Sequence, residues 1–173
     1  MTHTFIRSAA EVDLAAVGDL LQLYMTESLG RAWEGSPQAL ARDIGAGRVH
    51  LTIAVAGPEV VAFASWYPMY DVHHCAAGGE ISDLFVLSQF RGRGLAPRLI
   101  AHVAREIEAF GGRFVKGRGA DSGGGLSSRI AVICDGGECY VGGGAFRALA
   151  ALADASPRIF AARLPDRERN FEQ

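Results

Sequence analysis

The residues best suited to chemistry are Arg91-Gly92-Arg93-Gly94-Leu95-Ala96. They sit between a strand-like run, Glu80 to Leu87, and a strongly patterned helix, Gly94 to Phe110. Glycines let the backbone turn tightly, so that successive N–H groups converge on one point. A helix N-terminus adds partial positive charge there, and two arginines add permanent charge with a planar fork that suits phosphate. Together these features describe a pyrophosphate site. Dinucleotide binding is a weaker reading, because no Gly-x-Gly-x-x-Gly follows. His73-His74-Cys75 does not read as a metal site, since adjacent side chains on an extended chain point apart. Cys134 and Cys139 are spaced too widely for a zinc knuckle. No metal is expected.

The elements around this loop alternate between strands and helices. Thr4 to Arg7 is a short predicted strand. Ser8 to Glu11 forms a capping-box pattern that opens a helix with Leu14, Val17, Leu20, Leu21 and Tyr24 on one stripe. A second helix is predicted over Pro37 to Ile44. Val49–Ala56 and Val60–Tyr67 flank Gly57-Pro58 and read as a β-hairpin, not as a membrane span. In the long helix Leu95, Leu99, Val103 and Ile107 form one face, and Gly111-Gly112 ends it. Arg113 to Lys116 is strand-like, so Glu80 to Lys116 is a βαβ-type unit with some parallel pairing. Further on, Leu126–Ile133 is predicted as a helix, Glu138–Val141 as a strand and Ala145–Ala153 as a helix.

Composition narrows the classes. The 173 residues suit one domain, and no repeat or shift of composition marks a second, so 1–173 is taken as a single unit. Hydrophobic residues are 49% and charged residues 21%, which is a globular balance. Net charge is −2, which argues against a broad nucleic-acid or anionic-membrane surface. Three cysteines are too few for a disulfide scaffold, and a reduced cytoplasmic setting is expected. The opening residues lack the basic-then-apolar pattern of a signal peptide.

The run Glu80 to Ala96 resembles the acetyl-CoA-binding core of the GNAT N-acetyltransferase superfamily. That signature is Arg or Gln, two residues, Gly, one residue, then Gly or Ala; Arg91, Gly94 and Ala96 match it. The stretch Trp66 to Asp71 with Asp83 further resembles its diamine and polyamine acetyltransferase branch. The likeness covers roughly residues 5 to 132. It implies a mixed α/β fold: a mostly antiparallel sheet with a splayed parallel pair, flanked by helices. It implies that Phe85, Val86 and Leu87 meet the pantetheine arm of acetyl-CoA, and that Arg91, Gly92, Arg93, Gly94, Leu95 and Ala96 hold its pyrophosphate. The reaction implied is direct transfer of acetyl to a primary amine of a small molecule, with an N–H near Phe85 steadying the oxyanion. A homodimer is a common arrangement in this superfamily.

Two positions depart from the branch. Ser82 stands where a Glu usually precedes Asp83, so Glu80, on the same predicted strand face as Ser82, becomes the candidate base. Ser127 stands at the position of the usual Tyr acid and is a far weaker acid. The candidate catalytic residues are therefore Glu80, Asp83 and Ser127. Tyr70 and Asp71 join Glu80 and Asp83 as an acidic lining for a cation, and Trp33 and Glu34 lie in a loop that could contact substrate. The rival readings are a protein or peptide N-acetyltransferase and a catalytically weakened acyl-CoA-binding module.

Overall fold

The computed structural model describes residues 4–72, 75–120, 126–133 and 140–141, with 117 onward described by backbone alone. Among these residues seven strands form one sheet in sequence order. They are β1 (Thr4–Ser8), β2 (His50–Ala56), β3 (Glu59–Asp71), β4 (Ala76–Val86), β5 (Phe114–Ala120), β6 (Leu126–Ile133) and β7 (Tyr140–Val141). Only β4 and β5 run parallel; every other neighbouring pair is antiparallel. Among the described residues three α-helices accompany the sheet: α1 (Leu14–Leu29), α2 (Pro37–Gly45) and α3 (Leu95–Ala109). No helix among the described residues is long and apolar enough to cross a membrane.

The alternation of β2 sorts its side chains to two cores. Leu51, Ile53 and Val55 meet Leu14, Val17 and Leu20 of α1, with Leu40 and Ile44 of α2 alongside. Ala54 and Ala56 meet the Leu99, Val103 and Ile107 stripe of α3. The α1 stripe enters through the side chain of Asp13, which accepts from the Ala10 amide at 2.7 Å and from both Arg7 Nη atoms at 2.5 and 2.8 Å. Ser36 caps α2, its Oγ accepting from the Ala39 amide. The helix predicted from the capping-box pattern at Ser8 thus begins later, after a short 3-10 turn at Glu11–Asp13.

The sheet is tied to α3 by one carboxylate. Glu106 accepts from Ser8 Oγ, from Thr52 Oγ1 at 2.5 Å and from Trp66 Nε1 at 3.2 Å. His50 stacks on Trp66 with ring centroids 4.2 Å apart.

The predicted helix at Leu126–Ile133 is instead β6, paired with β5 from Phe114↔Ile133 to Ala120↔Leu126. Ile130, Val132 and Ile133 are β-branched, stiff at χ1 and suited to a pleated surface. Ser127 is therefore on a strand. The predicted Ala145–Ala153 helix, His73, His74, Cys134 and Cys139 lie outside the described residues.

The parallel ladder is short. It pairs Gly79, Glu80 and Ile81 with Val115, Lys116 and Gly117, while β4 runs on to Val86. A Cβ at Gly79 would stand 2.5 Å from Ile107 Cδ1 and 3.0 Å from Trp66 Cε3, so any larger residue there would have to displace the Ile107 side chain of α3. Immediately after Ile81 the pairing of β4 with β3 shifts: Trp66 faces Ile81, but Ser65 faces Asp83, leaving Ser82 as a bulge residue.

Candidate active site

The bulge changes which side chains share a face. Opposed residues of an antiparallel pair point to the same side, so Glu80 goes with Tyr67 and Asp83 with Ser65. Tyr67 and Ser65 are two apart on β3 and share a face. Glu80 and Asp83 therefore lie on one face, where a simple alternation puts them on opposite faces. It is the α1 face, shared with Phe63 and Phe85.

Asp83 is held from two sides. Tyr24 of α1 donates its hydroxyl to Oδ1 at 3.0 Å, and Ser65 Oγ donates to Oδ2 at 2.9 Å. Ser82 Oγ lies 2.8 Å from Ser65 Oγ, so the bulge residue joins the same network. The Tyr24 ring packs edge-on against Phe63, at 6.0 Å, and tilted against Phe85, at 5.8 Å. Burial pushes the Tyr24 phenol up to about 12, and the neighbouring Asp83 charge adds to the shift. The phenol thus stays protonated and acts as a donor.

Beside this cluster opens a cavity of about 510 Å³. Its floor is Leu84, Phe85 and Val86 of β4; one wall is Tyr24, Glu27 and Ser28 of α1; the other runs from Phe90 to Pro97. Gly92 and Gly94 have φ of 73° and 71°, in the left-handed region that favours glycine. An added Cβ at either would meet nothing within 4 Å, so both open towards free space. Gly94 caps α3 without any side-chain hydrogen bond, leaving the amides of its first turn to an anion. Arg91 lies over the Phe85 ring at 5.4 Å, and Arg93 over Phe90 at 5.1 Å. An open, partly apolar trough ending in uncapped amides and guanidinium charge fits a phosphorylated thioester such as acetyl-CoA.

The cavity gathers most of the expected cofactor residues: Phe85, Val86, Arg91, Gly92, Gly94, Leu95 and Ala96 line it. The Leu87 amide is engaged elsewhere, donating to Val61 O at 3.0 Å, and Val86 O accepts from Arg91 Nε at 2.8 Å. Trp33 packs across α1 at Gly18, where an added Cβ would come within 3.1 Å of its ring, and its amide donates to Gln22 Oε1. Glu34 is exposed. Tyr70 and Asp71 lie near the far end of the β3–β4 hairpin, with Asp71 Oδ2 3.9 Å from Lys116 Nζ. None of these four lines the cavity. Among the described residues no group of three or more His, Cys, Asp or Glu could hold a metal. Tyr24, Glu27 and Ser65 are the site residues that sequence reading missed. Tyr24 stood on the α1 stripe as a core position, and only its hydroxyl signalled more.

Comparison with known proteins agrees with this architecture. Residues 15–116 match the model of the Acetyltransferase (GNAT) family. Among solved structures, an aminoglycoside acetyltransferase from an uncultured soil metagenomic sample, in complex with sisomicin, superposes with TM-score 0.59 at 18% identity, covering 69% of this chain and 78% of that one. A ribosomal-protein-alanine N-acetyltransferase from Brucella melitensis biovar Abortus 2308 gives TM-score 0.52 at 19% identity, over 62% and 73% of the two chains. A transcriptional regulator from Bacillus halodurans gives 0.55 at 21%, over 70% and 84%. Comparison with curated protein sequences gives no match. These likenesses concern fold alone, but the family model spans more than half of the chain and takes in α1, the parting of β4 from β5 and the glycine-opened start of α3; the chain belongs to the acetyltransferase (GNAT) family.

Proposed function

We propose that this chain transfers acetyl from acetyl-CoA to a primary amine of a small cationic molecule, in a ternary complex without a covalent enzyme intermediate. The observation that carries the reading is Asp83: a half-buried carboxylate, fixed by Tyr24 and Ser65, beside a trough that ends in an uncapped helix. A fixed negative charge at that place attracts an ammonium group and takes its proton; the freed amine would then bond to the acetyl carbon as the C–S bond breaks, and coenzyme A would leave as a thiolate that takes its proton from solvent. Glu80, on the same face, is the second candidate for that proton. The amides of Arg91 to Ala96 and the Arg91 guanidinium would hold the phosphates. The acetyl thioester supplies the activated acyl group. An amide near Phe85 would steady the oxyanion, a contribution that is often large in acyl transfer.

The sisomicin complex of a structural neighbour and the resemblance of Trp66–Asp83 to the polyamine branch both favour an acceptor with several amino groups. Titration of acetyl-CoA into the protein tests the first half. Micromolar binding, abolished by Gly94→Trp, is expected, because a side chain at φ 71° is strained and would fill the trough. No binding to the folded parent overturns the reading. A panel of amines tests the second half; binding without CoA release from any of them would instead support an acyl-CoA-binding module.

A further inference from the structure

The Arg91 guanidinium is held at both ends. Its Nε donates to Val86 O at 2.8 Å, and Phe85 lies beneath it at 5.4 Å. Its Nη2 donates to Glu27 Oε1 of α1 at 2.5 Å. The two walls of the cavity are thus joined by one ion pair between a helix and the glycine loop. Both partners are exposed, at 46% and 50% of their side-chain surface. An exposed pair of this kind is weak and readily exchanged. The anchored Nε and ring contact keep the guanidinium at the wall when Nη2 changes partner.

Glu27 stands where it competes with any anion for that corner of Arg91. Once phosphate takes Nη2, the Glu27 carboxylate loses its cation while still facing the cavity. It lies three residues from Tyr24, hence on the same helix face. Tyr24 in turn touches Asp83. The loaded site would then carry two carboxylates near Tyr24, Asp83 at its hydroxyl and Glu27 one turn along α1, and a cation would be favoured beside each. The geometry points to an exchange of partners at Glu27: it holds Arg91 in the empty protein and takes a second ammonium group of the acceptor in the loaded one. Glu27 is thereby a residue that selects diamines and polyamines over monoamines, and it does so only after the cofactor has bound. This rests on the acetyl-transfer reading above and deepens it.

The exchange makes the two ligands mutually supportive, and such coupling is reciprocal. Coenzyme A, which cannot react, is titrated by calorimetry into the parent and Glu27→Gln. Each titration is done alone, with excess 1,4-diaminobutane and with n-butylamine as the single-charge control. Removing the competitor should tighten coenzyme A binding about two- to fivefold. The diamine should tighten it by a similar factor in the parent and leave it unchanged in Glu27→Gln, and butylamine should do less. Glu27 is exposed, so the variant should keep the parent's melting temperature. Equal or weaker coenzyme A binding by the folded variant overturns the exchange; so does coupling that is absent from the parent or survives in Glu27→Gln. These outcomes leave the acetyl-transfer reading standing. A parent that binds no coenzyme A overturns both.

Discussion

The Tyr24 hydroxyl, from the first helix, donates to Asp83 Oδ1 across the cleft to β4 at 3.0 Å. The same phenol lines the cavity. One side chain therefore connects the expected cofactor trough to the carboxylate expected to meet the amine. Tyr24→Phe keeps the ring between Phe63 and Phe85 and removes only the hydrogen bond. Stability should change by about 1 kcal/mol or less. Activity should fall roughly tenfold in kcat/KM, because Asp83 loses the donor that aims it. Steady-state kinetics beside a thermal melt separates the two effects. Full activity in the folded variant would make Tyr24 a packing residue.

Asp83 and Glu80 share a face, and paired neutral isosteres can rank them. Asp83→Asn can still accept from Tyr24 through its one oxygen and can donate its amide to Ser65 Oγ, but it carries no charge and takes up no proton. If Asp83 is the base, kcat/KM for a cationic amine should fall about a hundredfold or more, with a smaller loss in Glu80→Gln. The reverse order would move proton transfer to Glu80 and leave Asp83 to position the acceptor.

The loop and α3 were legible in the sequence because their signals are local. A glycine at positive φ, an apolar stripe and a strand-to-helix junction each occupy a few neighbouring residues. The bulge at Ser82 was not legible: it is a mismatch of register between β3 and β4, and alternation along β4 alone cannot reveal it. Tyr24 was legible as core, since periodicity reports the face of a helix and not the partner of a hydroxyl. The same limit hid Glu27, which reads as one more charged residue near a helix end until Arg91 is brought against it. Leu126, Ile130 and Ile133 repeat at i, i+4 and i+7 and fit a helix; the pairing of β6 with β5 overrode that spacing.

Asp13 shows how the start of α1 depends on charge. It is only 8% exposed and accepts from both Arg7 Nη atoms and from the Ala10 amide. The hydrogen bond from Arg7 holds its carboxyl below the ordinary value, against the effect of burial. A carboxyl lowered in the folded state stabilises fully above its unfolded value, near 3.8, and that stability is lost as pH falls through the folded value. Asp13→Ala leaves the amide and the guanidinium without their partner and should cost about 1–3 kcal/mol at neutral pH. A chain of this size should then melt roughly 2–10 °C lower. The gap between parent and variant should narrow in acid; a gap that is constant down to low pH would remove Asp13 from the acid response.

His50 responds to pH with its own sign. Burial against Trp66 and Phe110 lowers its pKa, and the Glu106 charge opposes that shift in part. His102 Nε2 also approaches Glu106 Oε1, at 3.9 Å. A lowered histidine is neutral in the fold while the unfolded chain still takes up a proton near 6.5. Stability is therefore complete above about 6.5 and declines as pH falls from there to the folded value. His50→Phe keeps an aromatic ring on Trp66 and has nothing to titrate. The parent should lose melting temperature between pH 7 and 5 faster than this variant. Glu106→Gln removes the opposing charge, so the folded His50 value should drop further and this variant should decline more steeply than the parent. Identical slopes in parent and His50→Phe would mean that the stacked imidazole accepts its proton without cost to the fold.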